Sequence, residues 1–178
     1  ITNYESAMAI KKRIGDRKGI AIAMHNIGII YFNRTDYENA LDYQQHAYEI
    51  FRSIPYEKGM AATLNSTGII YLYLADYPKS LAYYLKALKI YEQSHDEFNM
   101  ANAFTNIGLV HDHALQFNKA LDYFERAEKI FEKEDRDFEL QNVLNNIGNT
   151  YDNAGQPAKA LAYYDRAKEI NKALGNNR

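Results

Sequence analysis

The chain has 178 residues, 47% apolar and 25% charged, with a formal net charge of −2, sixteen tyrosines, no tryptophan and no cysteine. A chain of this length can bury a real core, and its charge gives no basic footprint for nucleic acid. The cysteine count excludes disulfides and thiol chemistry, no run of about 18 apolar residues offers a membrane span, and the compartment stays open.

Residues 1–16 read as the second helix of a hairpin whose first helix is missing. Shifted by 40 positions, Tyr4 falls on Gln44, Ala7 on Ala47 and Ile10 on Ile50. The expectation is a truncated preceding repeat and a longer parent protein. Gly15-Asp16 closes this helix in the manner of a C-cap glycine. Four repeats follow, at 17–56, 57–96, 97–136 and 137–178, each expected to be two antiparallel helices with a first helix of about 17 residues. The intervening turns fall at Arg34-Thr35-Asp36, Ala75-Asp76, Leu115-Gln116 and Gly155-Gln156. Asp36 and Asp76 suit N-caps. Pro78 and Pro157 fall in the first turn of a second helix, where a missing N–H costs nothing. Leu174-Gly175-Asn176-Asn177-Arg178 reads as a helix stop with a polar end.

The repeats are held in register by a glycine ladder: Gly28, Gly68, Gly108 and Gly148, always 40 apart. A glycine inside a helix costs about 0.5–1 kcal/mol relative to alanine, so four at one spacing need a cause, and close approach of a partner helix is the expected one. Twelve residues on stand Ala40, Ser80, Ala120 and Ala160; nineteen on stand Ala47, Ala87, Ala127 and Ala167. Tyr31, Tyr71, His111 and Tyr151 follow the glycines by three. Gln44, Tyr84, Phe124 and Tyr164 follow by sixteen. One hairpin cannot bury all these rungs, whereas stacked hairpins can.

The pattern Met24…Ile27-Gly28…Tyr31…Ala40…Ala47, repeated as Leu144…Ile147-Gly148…Tyr151…Ala160…Tyr164…Ala167, resembles the tetratricopeptide repeat. The 40-residue period is similar to the longer-helix variant of kinesin light chains, of the LGN/Pins proteins and of many bacterial signalling proteins. The resemblance covers essentially the whole chain. It implies an all-α, right-handed α-solenoid of antiparallel helical hairpins, and it is weak for function because the fold serves diverse partners. Gln44 in place of an aromatic, His111 in place of tyrosine and Thr67 in place of an aliphatic depart from the pattern.

In such arrays the face of each first helix turned away from the packing rungs lines a concave groove. Here that face offers Ile22, Asn26, Ile29, Phe32 and Asn33, then Ser66, Ile69 and Tyr73, then Asn102, Asn106, Leu109, Asp112 and His113, then Asn142, Asn146, Asn149, Asp152 and Asn153. His25, Asn65 and Asn145 flank it. A carboxamide donates and accepts at once, so it can pair with both groups of a foreign backbone. Asn26, Asn106 and Asn146 resemble the asparagines that hold peptide main chains in the kinesin light chain and LGN grooves. The alternative is that the asparagines bond between neighbouring repeats and stiffen the stack. The face is graded from apolar at Ile22, Ile29, Phe32, Ile69 and Tyr73 to polar at Asp112 and Asp152, which points to a ligand with apolar groups at one end and polar or basic groups at the other. It carries no Lys or Arg among these rungs, which argues against clamping an acidic chaperone tail.

No catalytic signature appears: there is no phosphate loop, HExxH or GxSxG. His111-Asp112-His113 looks like a metal motif, but residues i and i+2 of a helix point apart and His111 stands on the tyrosine rung; a weak metal or proton site gathered by His113 with Asp112, Asp152 and Asn153 is the lesser alternative. The reading is a non-catalytic module, without metal or cofactor, that binds a protein or peptide segment. Its alternative is a self-associating regulatory or sensory domain of a bacterial signalling protein that governs a kinase or phosphatase. Charges such as Glu125-Arg126, Glu128-Lys129 and Glu132-Lys133 are expected on a solvated outer face.

Overall fold

A computed structural model describes residues 11–176, and the side chains of 11–175. The expected packing of Tyr4, Ala7 and Ile10, and the end of the polar tail at Asn177 and Arg178, lie outside the described residues. Among the described residues every regular element is a helix, and none is long and apolar enough to cross a membrane. The chain divides into two compact units, the first reaching Tyr91 and the second starting at Glu92.

The first unit holds α1 (Arg17–Asn33), α2 (Tyr37–Arg52), α3 (Glu57–Tyr73) and most of α4 (Tyr77–Gln93). The second holds α5 (Glu97–His113), α6 (Phe117–Lys133), α7 (Asp137–Asn153) and α8 (Pro157–Asn176). Within the first unit α2 packs on α1 and α3, and α1 also touches α3; within the second, α6 packs on α5 and α7, and α5 also touches α7. Within each unit one hairpin therefore covers the other.

Short turns enforce this arrangement. At the end of each first helix the N–H five residues on donates back to a carbonyl of the last turn: Asp36 to Tyr31 (3.0 Å), Asp76 to Tyr71 (2.9 Å), Gln116 to His111 (2.8 Å), Gln156 to Tyr151 (2.8 Å). The residue before each donor is left-handed, as this closure demands. Gly15 and Gly155 take that conformation readily, but Thr35 (φ 59°), Ala75 (56°), His95 (53°), Leu115 (58°) and Asp135 (53°) take it too. For a residue with a Cβ that costs about 1–2 kcal/mol, which the packed helices on either side must offset. Asp16, Asp36 and Asp96 then cap the next helices through their side chains, and Asp76 accepts from the N–H of Lys79 at 3.2 Å.

The glycine ladder has a sharper cause than helix approach alone. A Cβ on Gly68 would stand 2.8 Å from the ring of Tyr84, one on Gly108 2.5 Å from Phe124, and one on Gly148 2.5 Å from Tyr164. The glycine makes room for the side chain sixteen residues later. The small rung at +12 does bring the backbones together: Ala40, Ser80 and Ala120 are wholly buried, and the Ser80 hydroxyl donates to the Gly68 carbonyl at 2.8 Å. A second ring stack recurs in every hairpin, Tyr31–Tyr43, Tyr71–Tyr83, His111–Tyr123 and Tyr151–Tyr163, with centroids 5.4–5.5 Å apart. His111 thus replaces a phenol by an imidazole of similar shape, buried as expected.

Two expectations are corrected. Glu128 is not on a solvated face: it is 9% exposed, and its carboxylate meets the Arg166 guanidinium at 2.7 Å. Its +20 place from the glycine is turned toward α8, which supplies the counter-charge. Helix α8 does not stop at Gly175 but runs through Asn176. Nothing stands within 4 Å of a Cβ there, and an exposed helical glycine costs only about 1 kcal/mol, so the residue is tolerated rather than used as a stop.

Candidate functional site

Each first helix divides its residues between two faces. Ile27, Gly28, Ile107, Gly108, Ile147 and Gly148 are buried against the second helices. One position further, Ile29, Ile69, Leu109 and Asn149 are exposed or half-buried, as are Asn26, Ser66, Asn106 and Asn146 two positions before the glycine. The rungs left over by packing are the ones expected to meet a partner.

In the first unit these rungs build an apolar cleft of about 180 Å³, lined by Ile29, Phe32, Asn33, Gln44, Ser66, Ile69 and Ile70. Phe32 meets Tyr73 edge-on at 5.0 Å and Tyr37 at 5.9 Å, which fixes an aromatic corner at the cleft's rim. Tyr73 is 65% exposed and Ile22 39%. Both leave apolar surface exposed on the first-helix face. His25 turns the other way. Its Nδ1 lies 2.8 Å from Gln44 Oε1, and its carbonyl accepts from Gln44 Nε2 at 3.1 Å. Burial lowers its pKa below the ordinary histidine range, against a smaller upward pull from Gln44. Asn65 is half-buried beside the same rungs.

In the second unit the corresponding rungs build a polar cleft of about 290 Å³, lined by Leu109, Asp112, His113, Asn146, Asn149, Thr150, Asp152 and Asn153. The Asp112 carboxylate spans it. One oxygen accepts from Asn153 Nδ2 at 3.4 Å, while the other is buried without a protein partner. A buried acceptor in that state favours a cationic or hydrogen-bond-donating ligand. The Tyr164 hydroxyl donates to Asn149 Oδ1 at 2.7 Å, leaving the Asn149 amide N–H groups for the cleft. Asn102 donates to the carbonyl of Phe98 at 3.1 Å, within its own helix. Asn142 is exposed and Asn145 half-buried on α7. Among the described residues no group of three or more His, Asp or Glu is placed to hold a metal ion.

The structure gathers Ile29, Phe32, Ser66 and Ile69 around one cleft, and Leu109, Asp112, His113, Asn146, Asn149, Asp152 and Asn153 around the other. Ile22, His25, Asn26, Asn65, Tyr73, Asn102, Asn106, Asn142 and Asn145 lie on the same helices but line neither. Gln44, Ile70 and Thr150 line the clefts and are not among the expected site residues. The first had a signal, since it breaks the aromatic rung.

Stacked two-helix repeats with a left-over first-helix face define an interaction solenoid. The tetratricopeptide repeat profile matches residues 1–53 and 59–133, and a second profile of the same repeat matches 142–173, so the chain belongs to the tetratricopeptide repeat family. Such arrays are generally protein-interaction scaffolds rather than catalysts. A search of curated proteins gives no match. Among solved structures, the chain is similar to BtubC (BKLC) from P. vanneervenii, with a TM-score of 0.85, 22% identity, and coverage of 97% of this chain and 72% of that one. It is similar to the apo form of RapI, with a TM-score of 0.87, 22% identity, and coverage of 98% and 64%. It is also similar to aspartyl phosphate phosphatase F from Bacillus subtilis, with a TM-score of 0.89, 22% identity, and coverage of 97% and 45%. At these identities the likeness establishes the all-α solenoid fold, and the chain spans under two thirds of both Rap-type proteins.

Proposed function

We propose that this chain binds a peptide segment of a partner protein along its first-helix faces. The cleft of the first unit takes apolar side chains, and the cleft of the second takes basic or hydrogen-bonding groups. Asn26, Asn106 and Asn146 hold the segment's main chain. One observation carries the reading: the residues two before and one after each ladder glycine are half-buried or exposed on one face of the first helices, and they are chemically equipped for a backbone and its side chains. The test is selection of peptides from a displayed random library on the purified protein, followed by calorimetry of the best binder. The expected motif pairs apolar residues with Lys or Arg. The Asn106→Ala/Asn146→Ala double variant, with its fold checked by circular dichroism, is expected to bind at least about tenfold more weakly, a loss of about 1.4 kcal/mol. Equal affinity defeats backbone binding.

A second reading is favoured by the likeness to Rap-type proteins, one of which is solved in complex with competence and sporulation factor at a TM-score of 0.84 and 18% identity. In that reading the array is a regulatory or sensory domain of a bacterial signalling protein and self-associates. Light scattering separates the two: a concentration-independent monomer removes the self-association part.

A further inference from the structure

One rung of the first unit is built differently from its three counterparts. Sixteen residues after the ladder glycine, Tyr84, Phe124 and Tyr164 lay a ring over Gly68, Gly108 and Gly148. At Gly28 the place is held by Gln44, 1% exposed, whose Nε2 would stand 2.7 Å from an added Cβ. A carboxamide is smaller than a phenyl or phenol, and this one is drawn toward His25 by two contacts of 2.8 and 3.1 Å. The smaller side chain borders open volume on two sides. Gln44 lines the apolar cleft of about 180 Å³ and also a second, polar cleft of about 250 Å³ beside Tyr48, Thr63 and Thr67.

We infer that the apolar cleft is a subsite for one uncharged aliphatic side chain of the bound segment, and that Gln44 is the residue that holds it open. The inference rests on the peptide-binding reading and deepens it. The walls are Ile29, Phe32, Ile69 and Ile70, which offer a charged group no partner, so a cationic or anionic side chain would lose its hydration there. Gln44 has its oxygen and one N–H engaged with His25, which fixes the orientation of its carboxamide. The size is right for a branched hydrocarbon: an apolar cavity of about 150 Å³ with Leu, Ile and Phe walls takes benzene. Ser66 and Asn33 stand at the rim, half-buried and exposed, where the ligand's backbone would pass.

The test uses N-acetyl-leucine amide as the probe, titrated into isotopically labelled protein and followed by the methyl resonances of Ile29, Ile69 and Ile70. Saturable shifts of these methyls are expected, and N-acetyl-lysine amide at the same concentrations is expected to leave them in place. The His25→Thr/Gln44→Phe double variant copies the Thr105/Phe124 pair of the third repeat. It is expected to fill the cleft, melt no lower than the parent and weaken the leucine probe at least about tenfold. Should that variant not fold, Ser66→Phe blocks the rim from outside and carries the same expectation. Equal shifts with both probes, or unchanged affinity in the filled variant, overturns the subsite. Glu125→Ala, on an exposed second-helix position of the other unit, is expected to bind the leucine probe as the parent does. A failed peptide selection with an intact leucine response therefore removes the peptide reading, whereas selected peptides that bind the filled variant unchanged remove this one.

Discussion

Between α1 and α3 the first unit leaves a cleft walled by two isoleucines from α3, one from α1, and Phe32. Between α5 and α7 the second unit leaves one walled by two aspartates, a histidine and three asparagines. The backbone plan is the same in both: a 17-residue first helix, a left-handed turn, and an antiparallel second helix. The difference lies mostly at half-buried and exposed first-helix positions, and at one packing rung, where the buried Gln44 holds the place that the ring of Phe124 holds in the second unit. Most rungs that line the clefts can therefore change character from unit to unit without disturbing the stack, while Gln44 belongs both to the packing and to a cleft wall.

The largest expected effect breaks the shared plan. Phe124 is fully buried over Gly108, so Phe124→Ala is expected to cost about 3–5 kcal/mol in urea unfolding. Gln44→Ala, at the matching rung, is expected to cost about 1–3 kcal/mol, because it leaves His25 without its partner but empties less volume. Comparable losses at the two rungs would show that the clefts beside Gln44 do not reflect a locally thinner core. Gly108→Ala comes next. Its Cβ would sit 2.5 Å from a ring with nowhere to go, and a loss of about 1–3 kcal/mol is expected.

Smaller effects sharpen the contrast. Arg166→Ala strands Glu128, whose side chain is only 12% exposed, and should lower stability by about 1–2 kcal/mol. The exposed Lys133–Glu97 pair is expected to contribute under about 1 kcal/mol. Thr35→Gly relieves a left-handed β-branched residue and should raise stability by about 1 kcal/mol. The pH response of the first unit follows from His25, whose folded pKa lies below its ordinary value of 6.5. The unfolded chain then binds the extra proton, so this contribution is complete above pH 6.5 and is lost as pH falls below it. A His25→Asn variant is expected to flatten that part of the stability profile, read by melting temperature between pH 7.5 and 5.

Much of this was legible in the sequence. Glycines at a fixed period, with small and aromatic rungs at constant offsets, specify helix, turn and stack, because each rung is a packing demand that only one residue size meets. The cause of the glycine was less legible. Helix approach was the natural expectation, yet the ring at +16 is what excludes a Cβ at Gly68, Gly108 and Gly148. Glu128 read as solvated because its partner Arg166 is 38 residues away, and sequence pairing of charges sees only neighbours on one helix. The site was legible as a face and not as clefts. Which of its rungs enclose a volume depends on side chains from the second helix, such as Gln44, that no first-helix pattern contains.

The central claim is that a partner segment lies on the first-helix faces. Amide chemical-shift mapping with a selected peptide tests it most directly. The account predicts perturbations clustered at Asn26, Ile29, Ser66, Ile69, Asn106, Leu109, Asn146 and Asn149, with little change at His46, Leu85, Glu125 and Asp165 on the second helices. Perturbations concentrated on the second-helix positions would contradict it.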